Sequence, residues 1–417
     1  MKRDEVHMQS FDSKLEKYAA LAVEVGVNIQ KGQPLLISAP ISAIDFVRKV
    51  AKRAYEVGAS DVQFEWSDDE LARMKYEMAP DETFLEFPEW RAKGREEMAK
   101  KNTAFLSIIS ENPDLLSGID STRIQNAQKA AATALSTFRT YTMSDKVSWS
   151  IVAVPNETWA KKVFPELAEE KAVEALWDAI FSATRADLED PVKAWREHTD
   201  TLDSKAARLN ERHYKALHYT APGTDLTIEL PEKHIWVSAG SHNEKGALFI
   251  ANMPTEEVFT APLKTGVNGT VASTKPLSYG GNLIENFSIT FKDGKIVDFK
   301  AEKGYESLKK LVETDEGSHF LGEVALVPHR SPISDTNLIF FNTLFDENAS
   351  NHLAIGKGYA FCLDGGKTMS EDELKENGLN DSLTHVDFMI GSSEMNIDGI
   401  KADGTREAVF QNGNWAF

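Results

Sequence analysis

The sequence predicts two domains of different fold class: an α/β N-terminal domain with a mainly parallel sheet, and an α+β domain rich in antiparallel strands. In the first half, short apolar runs alternate with amphipathic helical segments, which is typical of βαβ units. After about Leu217, short strands follow one another between turn signals, as in antiparallel sheets. Since 417 residues are enough for two domains, we place them at residues 1–215 and 216–417.

The parallel sheet of the first domain is predicted from short apolar runs. They are Pro34–Ser38, Asp61–Trp66, Ala104–Ser110 and Trp149–Pro155. Apolar residues recur at helical spacing in longer segments between and after these runs, namely Ile41–Glu56, Arg123–Phe138, Ala168–Arg185 and Asp190–Arg212. Gly58 follows the first of these helices, and Pro191 suits the first turn of the last one.

The second domain is predicted to contain a β-hairpin and a helix. Asp293-Gly294 separates two alternating runs, FSITFK and KIVDFK, within Phe287–Phe299. This dipeptide favours the tight turns that join antiparallel strands. The helix is expected at Tyr305–Thr314, so this half of the chain combines helix with antiparallel strands.

Acidic residues exceed basic ones, with 65 Asp plus Glu against 46 Lys plus Arg and a net charge of −19. Nucleic acids and anionic membranes would repel such a surface, so neither is expected as a partner. The N-terminal MKRDEVHMQSFDSKLEK lacks the apolar core of a secretory signal, and no apolar stretch approaches the length that spans a bilayer. Because Cys362 is the only cysteine, no internal disulfide can form. We therefore expect a soluble cytoplasmic protein.

Glycine-rich segments of the chain do not fit nucleotide-binding motifs. No G-x-G-x-x-G follows the first strand, and Gly356-Lys357-Gly358 lacks a third glycine. Gly365-Gly366-Lys367-Thr368 resembles the end of a P-loop, but Phe361 stands where its first glycine should be, so we interpret the segment as a turn. Cys362 lies in the apolar run YAFCL and is interpreted as a small buried hydrophobe.

Histidines concentrate in the second half, and one of them lies in a strand pattern that suits a metal site. Nine of the ten lie between residues 198 and 385. If Thr384–Gly391 is a strand, its alternate apolar residues point to a core, and His385 and Asp387 point together to the opposite face. From there both could reach one metal ion or two neighbouring ions. The alternative is an ordinary solvated strand face.

A second histidine precedes a tyrosine at helical spacing. His352 and Tyr359 are seven residues apart, so in a helix they would share one face two turns apart. Gly356 and Gly358 weaken the prediction of a helix, because each glycine costs about 1 kcal/mol relative to alanine. By itself, a histidine such as His352 is more often a hydrogen-bonded structural residue than a ligand.

Two glutamates lie in apolar surroundings. Glu323 stands in the apolar run LGEVALV, where burial without a cation or a donor would be costly. Glu257 directly precedes another short apolar run, and its neighbour Glu256 is the alternative candidate for the same role. Either acid could instead be a surface residue at a strand end. His319 and His329 flank Glu323 and are rival ligands that spacing does not exclude.

The chemistry of these side chains suits a hydrolytic metal site. Two glutamates, two histidines and one aspartate could hold two divalent ions about 3.5–4 Å apart, bridged by a carboxylate. The spacing of the residues alone does not establish such a site.

Several segments, in order along the chain, match one known family. They are LEKYAALAVEVGVNIQKGQPLLI, FPEW, NMPTEEVFTAP, FLGEVALVP, FDENASNHLAIGKGY, HVDFMIGS and FQNGNWAF. Through these segments the sequence resembles the aminopeptidase T, aminopeptidase S and PepS family of metallo-aminopeptidases. The likeness extends over essentially the whole chain.

This resemblance implies a set of site residues and a reaction. The implied metal ligands are Glu257, Glu323, His352, His385 and Asp387, and Tyr359 has an implied active-site role. The implied enzyme removes residues from peptides with a free N-terminus, using water activated by two divalent ions such as zinc, cobalt or manganese. Glu323 is our candidate for the bridging carboxylate and Tyr359 for the donor to the developing oxyanion. Glu256 is only a weak candidate for the general base.

The resemblance also implies a homodimer in which the first domain shapes access to a metallopeptidase domain formed by the second. Two other functions stay open on the sequence. One is a dinuclear metallohydrolase acting on esters or phosphates. The other is a peptide-binding homologue without activity, which would need a missing ligand, although all five implied ligands are present.

Overall fold

The computed structural model describes residues 10–110, 112, 114–279 and 282–417. Residues 1–9, which carry part of the prediction that no secretory signal is present, lie outside this range. The chain forms two compact units. The first runs to His198 and includes Gly240–Pro254, and the second comprises Thr199–Ala239 and Thr255–Phe417. Within the described residues, no helix combines the length and the apolar character needed to cross a bilayer.

The first unit is built on the parallel sheet that the sequence predicts. Its strands are β1 (Leu35–Pro40), β2 (Val62–Ser67), β3 (Ala104–Ile109) and β4 (Trp149–Ala153), in the order β2-β1-β3-β4. The helices up to residue 212 are α1 (Phe11–Leu21), α2 (Ile44–Val57), α3 (Asp69–Met78), α4 (Glu89–Lys100), α5 (Ser121–Ala134), α6 (Ser136–Met143), α7 (Glu157–Val163), α8 (Glu169–Ala183) and α9 (Pro191–Arg212). The alternation of strands and helices that predicted βαβ units is confirmed.

Burial explains why the apolar runs form this sheet. Strands β1 and β3 are buried along most of their length, as central parallel strands should be. Helix α2 buries Phe46 and Val50 and ends at Gly58, whose φ of 106° lies in the left-handed region that glycine tolerates. The single helix predicted over Arg123–Phe138 is instead the pair α5 and α6, because the chain leaves helical geometry at Leu135.

The later part of the chain is mostly antiparallel, as predicted. Its elements are β5 (Ala216–Ala221), β6 (Thr224–Glu229), β7 (Gly240–His242), β8 (Leu248–Ile250), β9 (Val258–Thr260), β10 (Val267–Ala272), β11 (Leu277–Tyr279), β12 (Asn282–Lys292), β13 (Lys295–Lys303), α10 (Tyr305–Val312), β14 (Leu321–Leu326), α11 (Thr343–Asp346), β15 (His352–Gly356), α12 (Glu371–Glu376), β16 (His385–Met389), β17 (Asn396–Ile400), β18 (Arg406–Gln411) and β19 (Asn414–Trp415). A large sheet has the order β11-β12-β10-β6-β5-β17-β18-β19, with β13 paired to β12. A smaller sheet has the order β16-β15-β14-β9.

One segment of this later part belongs to the first unit. The N–H of Ile151 on β4 donates to the carbonyl of Ala251 at 2.8 Å, and the N–H of Met253 donates to the carbonyl of Ile151 at 3.0 Å. Residues 251–253 thus lie alongside the parallel sheet. The first unit is therefore discontinuous in sequence, whereas the domains predicted at 1–215 and 216–417 are continuous stretches.

The predicted hairpin and helix of the second unit are present. Strands β12 and β13 flank Asp293 and Gly294, whose φ angles are 47° and 81°. Two successive left-handed residues form the turn that suits the twist of a hairpin. A Cβ on Gly294 would lie 1.8 Å from the carbonyl oxygen of Lys264, so only glycine fits there. The helix predicted at Tyr305–Thr314 is α10.

The segment from His352 to Tyr359, for which the sequence left a helix open, is strand β15 followed by a loop. Leu353 and Ile355 enter the hydrophobic core and Ala354 between them faces away, which is the period of two of a strand. Gly356 has a φ of 112°, and a Cβ there would lie 2.1 Å from the carbonyl oxygen of Thr384. Close contact between neighbouring strands therefore determines the structure here, and helical propensity does not.

Both sheets of the second unit pack one face on a common hydrophobic core. The larger sheet contributes residues such as Leu217 and Tyr219 of β5. The smaller sheet contributes Val324, Leu353 and Phe388. The opposite face of the smaller sheet is thus available for polar side chains.

Candidate metal centre

The face of the smaller sheet that points away from the core gathers the residues that the sequence singled out. Because side chains alternate along a strand, the direct neighbours of Val324, Leu353 and Phe388 point to this face. It carries Glu323 on β14, His352 on β15, His385 and Asp387 on β16, and Glu257 just before β9.

The strand register brings these side chains together above small residues. Ala354 lies between Glu323 and Asp387 in one cross-strand row. Since neighbouring strands are about 4.8 Å apart, the two acids start about 10 Å apart and their side chains converge over the alanine. Ala325 occupies the corresponding position beside His352 in the next row. The alanines leave space above the sheet that larger side chains would fill.

These residues form two groups that could each hold a metal ion. One group is Glu257, Glu323 and His352, and the other is Glu323, His385 and Asp387. Within each group the potential ligand atoms lie within 4.8 Å of one another. We refer to them as the Glu257 group and the Asp387 group.

Glu323 belongs to both groups and directs a different oxygen to each. Its Oε1 lies 3.5 Å from Nε2 of His352, and its Oε2 lies 3.6 Å from Nε2 of His385. On the outer sides, Oε2 of Glu257 is 3.1 Å from Nε2 of His352, and Oδ1 of Asp387 is 3.5 Å from Nε2 of His385. The two oxygens of Glu323 therefore face different histidines, one in each group.

Both histidines are oriented by a carbonyl group behind them. Nδ1 of His352 is 3.1 Å from the carbonyl oxygen of Ser350, and Nδ1 of His385 is 2.7 Å from that of Lys357. Since a carbonyl oxygen only accepts, each Nδ1 is assigned the proton. When either ring is neutral, its Nε2 carries the lone pair and points into its group, as in many metal-binding histidines.

Several buried polar atoms of the two groups have no hydrogen-bond partner in the structure. They are Oε2 of Glu257, Nε2 of His352 and Oδ1 of Asp387. Leaving such atoms unpaired in a buried site is costly, and three acids in close contact would repel one another. Divalent cations would satisfy the unpaired atoms and offset the negative charge, so the donor set fits metal ions.

The surrounding acids change how readily the two imidazoles accept positive charge. Burial opposes the charged form of His385, but the adjacent carboxylate of Asp387, followed by the charge of Glu323, raises its pKa to about 9. Burial also opposes the charged form of His352, yet Glu257 and Glu323 raise its pKa well above the usual value. At both histidines the neighbouring carboxylates therefore outweigh burial and favour positive charge.

Tyr359 lies in the loop after β15, beside the Asp387 group. Its ring centroid is 4.8 Å from that of His385. Burial, followed by the charges of Glu323 and Asp387, raises the pKa of Tyr359 far above the physiological range. Its hydroxyl therefore keeps its proton and can donate a hydrogen bond.

The rival residues from the sequence stay outside both groups. Within the part of the chain that the structure describes, neither group contains Glu256, His319 or His329. Glu256 is buried, and its backbone N–H donates to the side chain of Asn348 at 2.8 Å. Cys362 is buried, as predicted, and burial raises the pKa of its thiol well above the usual value.

Glu347 is an acid at this site that the sequence did not single out. It follows α11 and lies five residues before His352. Burial, and then the charges of Asp387 and Glu257, raise the pKa of its carboxyl well above the usual range. The sequence feature that could have indicated Glu347 is the segment FDENASNH, where this acid precedes several polar residues. In the structure these polar residues are buried.

Asn348 connects this acid to the segment that carries Glu257. Its side-chain oxygen accepts from the N–H of Glu256, and its amide nitrogen is 3.2 Å from the carbonyl oxygen of Leu344 and 3.4 Å from Oε1 of Glu347. A buried asparagine held in this way fixes the position of Glu347 and that of the segment that carries Glu257.

Comparison with known proteins places the whole chain in one family. The family model described as thermophilic metalloprotease (M29) matches residues 11–415. Aminopeptidase AmpS of Bacillus subtilis (strain 168) is 63% identical over 98% of this chain and 100% of that protein. Aminopeptidase T of Thermus thermophilus is 44% identical, again over 98% of this chain and 100% of that protein.

A solved structure supports the same relationship. The chain described as wild-type AmpT from Thermus thermophilus superposes with a TM-score of 0.92 at 43% identity, over 98% of this chain and 100% of that one. The predicted combination of a parallel sheet and antiparallel sheets is confirmed by the fold. Membership of a metalloprotease family implies a divalent metal, which agrees with the donor set described above. The chain belongs to the M29 family of thermophilic metalloproteases and is a metal-dependent peptidase.

Proposed function

We propose that this chain is an aminopeptidase that removes the N-terminal residue from peptides and uses two divalent ions. The observation that carries the two-ion proposal is Glu323, whose two carboxylate oxygens face different histidines. The names of the relatives, which are aminopeptidases, support the reaction and the choice of peptides with a free N-terminus as substrates.

The proposed ligands divide between the two positions. Glu257 and His352 would hold one ion, His385 and Asp387 the other, and Glu323 both. When bound, such ions supply an activated water at neutral pH and polarise the carbonyl of the first peptide bond. Zinc, cobalt and manganese all suit this mixture of imidazole and carboxylate ligands, and availability decides among them.

Two further side chains would handle protons and charge. Glu347 lies among the acids of both groups but is a member of neither. With cations offsetting the neighbouring negative charges that raise its pKa, its carboxylate would accept a proton from the attacking water. Tyr359 keeps its hydroxyl proton and lies beside His385, so it would donate a hydrogen bond to the developing oxyanion. The proton on Glu347 would then pass to the leaving amine.

The direct test is hydrolysis of a panel of aminoacyl-p-nitroanilides, with and without a chelator and with zinc, cobalt or manganese restored. We expect turnover that the chelator abolishes and the metal restores. A matched substrate with an acetylated N-terminus should resist cleavage. Turnover of esters or phosphates but of no aminoacyl amide would contradict the proposal in favour of another metallohydrolase. Peptide binding without any turnover would identify an inactive homologue.

We also propose that the first domain, residues 1–215, contributes to a homodimer and to substrate access. Helix α3 supports the dimer, because it exposes Leu71, Met74 and Met78 at helical spacing along one face. Exposed apolar stripes of this kind often mark protein interfaces. Sedimentation showing a dimer would agree with this proposal, and a fully active monomer would contradict it.

A further inference from the structure

A row of aromatic rings leads away from the candidate metal centre. The rings of Tyr359 and Phe361 stack, with centroids 5.2 Å apart and an interplanar angle of 8°. Phe361 meets Phe259 edge to face at 6.0 Å. At the other end, Tyr359 contacts His385 of the Asp387 group. The row therefore ends directly at a candidate metal ligand.

Phe259 connects the row to the Glu257 group as well. Residues two apart on a strand share a face, so Phe259 on β9 lies on the same face as Glu257. In register, Phe259 is opposite Ala325, which in turn is opposite His352. Since the residue between them is only an alanine, the ring of Phe259 borders the space above the sheet.

These rings are positioned to contact a ligand. Phe259, Tyr359 and Phe361 are each partly exposed, whereas the residues behind them are buried. The buried residues are apolar and form a small cluster of Ala261, Cys362, Leu363 and Leu379. An apolar wall, with the aromatic rings accessible in front and the buried cluster behind them, thus borders both groups of candidate ligands.

We infer that Phe259 and Phe361 form the subsite for the side chain of the substrate's N-terminal residue. This inference rests on the proposed function, because an aminopeptidase must hold the free amine and the first carbonyl at the ions. The first side chain then extends from the metal centre to the nearest wall. An aromatic wall favours large apolar side chains over small or charged ones, since only they bury apolar surface against it.

The test compares the substrate preference of Phe361→Ala and Phe259→Ala with that of the wild-type protein. For each, kcat/KM is measured on leucyl-, phenylalanyl- and alanyl-p-nitroanilide. We expect the ratio of the leucyl to the alanyl value to fall about tenfold or more, the scale on which an apolar pocket discriminates side chains. Phe361→Leu keeps an apolar wall and should retain more of the ratio than Phe361→Ala.

The chain offers a matched control. Phe299 on β13 is partly exposed and stacks on Tyr305 at 5.3 Å, much as Phe361 stacks on Tyr359. Phe299→Ala removes an equivalent contact away from the candidate site and should leave the leucyl-to-alanyl ratio unchanged. Metal content and the unfolding midpoint of every variant are measured alongside.

Two results would overturn the inference. One is an equal loss on all substrates in the Phe361 and Phe259 variants, which would assign the rings a purely structural role. The other is an unchanged ratio in both variants with metal content intact. If the wild-type protein hydrolyses no aminoacyl substrate, the proposed function itself fails, a result distinct from an altered ratio in the variants.

Discussion

Two regions of the second unit hold a buried histidine in nearly the same way, yet they differ in chemistry. His234 donates from Nδ1 to the carbonyl oxygen of Pro231 at 2.7 Å, as His352 does to Ser350. Both rings are buried, and Nε2 of both lacks a hydrogen-bond partner in the structure. The neighbour of His234 is the stacked ring of His213, with centroids 4.5 Å apart.

The two histidines differ in whether carboxylates surround them. Burial lowers the pKa of His234 to about 4, so this imidazole is neutral at physiological pH. At His352, the acids Glu257 and Glu323 outweigh burial and raise the pKa well above the usual value. A buried imidazole with a free nitrogen therefore does not by itself attract a cation, whereas one surrounded by acids does.

The largest expected effect is the difference in kcat/KM between replacing His352 and replacing His234. His352→Gln should lower kcat/KM about a thousandfold, because it removes a proposed metal ligand, and a loss of about 4 kcal/mol of transition-state stabilisation corresponds to that factor. His234→Gln should leave kcat/KM within about twofold, since its pKa is set by burial, Pro231 and His213 and by no acid of the candidate metal centre. Steady-state kinetics with metal analysis measures both. Equal losses in the two variants would show that the acids around His352 do not distinguish it from His234.

The next largest effect is expected at Glu347. Glu347→Gln should reduce kcat several-hundredfold, within the range of about 10²–10⁴ typical of general acid–base catalysis, while bound metal is retained. The matched control is Glu256→Gln, a buried acid nearby that belongs to neither group of described residues. Loss of metal in Glu347→Gln would instead make this acid a ligand, and unimpaired kcat would remove it from the mechanism.

A smaller loss is expected at Tyr359. Tyr359→Phe keeps the ring beside His385 and removes only the hydroxyl, so kcat should fall about a hundredfold, as for loss of one oxyanion donor. Tyr219→Phe is the control, because the buried hydroxyl of Tyr219 has no hydrogen-bond partner in the structure. Should Tyr359→Phe hydrolyse substrates at the wild-type rate, the ring would have a packing role only.

The last expected difference leaves activity aside and concerns the pH dependence of stability, measured on the metal-free protein. His234 has a pKa of about 4 when folded, below its value when unfolded, so its contribution is intact above about pH 6.5 and is lost as pH falls towards 4. The loss should reach about 3 kcal/mol. Urea unfolding of wild type and His234→Gln between pH 4 and 7 measures it.

His385 should show the opposite sign. Its folded pKa of about 9 exceeds the unfolded value, so its contribution is full below about pH 6.5 and is lost as pH rises through 9. Unfolding of the metal-free protein and of His385→Asn between pH 6.5 and 9.5 should therefore diverge at low pH and converge at high pH. Curves that remain parallel would contradict the electrostatic difference between the two regions.

Much of the fold follows from local patterns in the sequence. The runs at Pro34–Ser38 and Ala104–Ser110 are continuous and apolar because central parallel strands are buried on both faces. Asp293-Gly294 determines its turn because both residues accept a left-handed backbone. The strand at His385 was predictable for a similar reason, since a period of two is visible within HVDFMIG.

Other features depend on contacts that the sequence does not display. His352 and Tyr359 suggested a helix, but pairing with β14 and β16 makes this segment a strand. Glu257 can be told apart from Glu256 as a site residue only once the pairing of β14 with β9 is known. The position of Glu347 beside Asp387 and Glu257 depends on the fold, because both acids are distant from it in sequence.

The central claim is that Glu323 joins two cation positions on one face of a sheet. Equilibrium dialysis against zinc, cobalt or manganese, followed by metal analysis, measures the ions bound per chain. We predict two ions for the wild-type protein and for the control Glu229→Gln on β6, and at most one for Glu323→Gln, with loss of peptide hydrolysis. Two ions and unchanged hydrolysis in Glu323→Gln would contradict the claim.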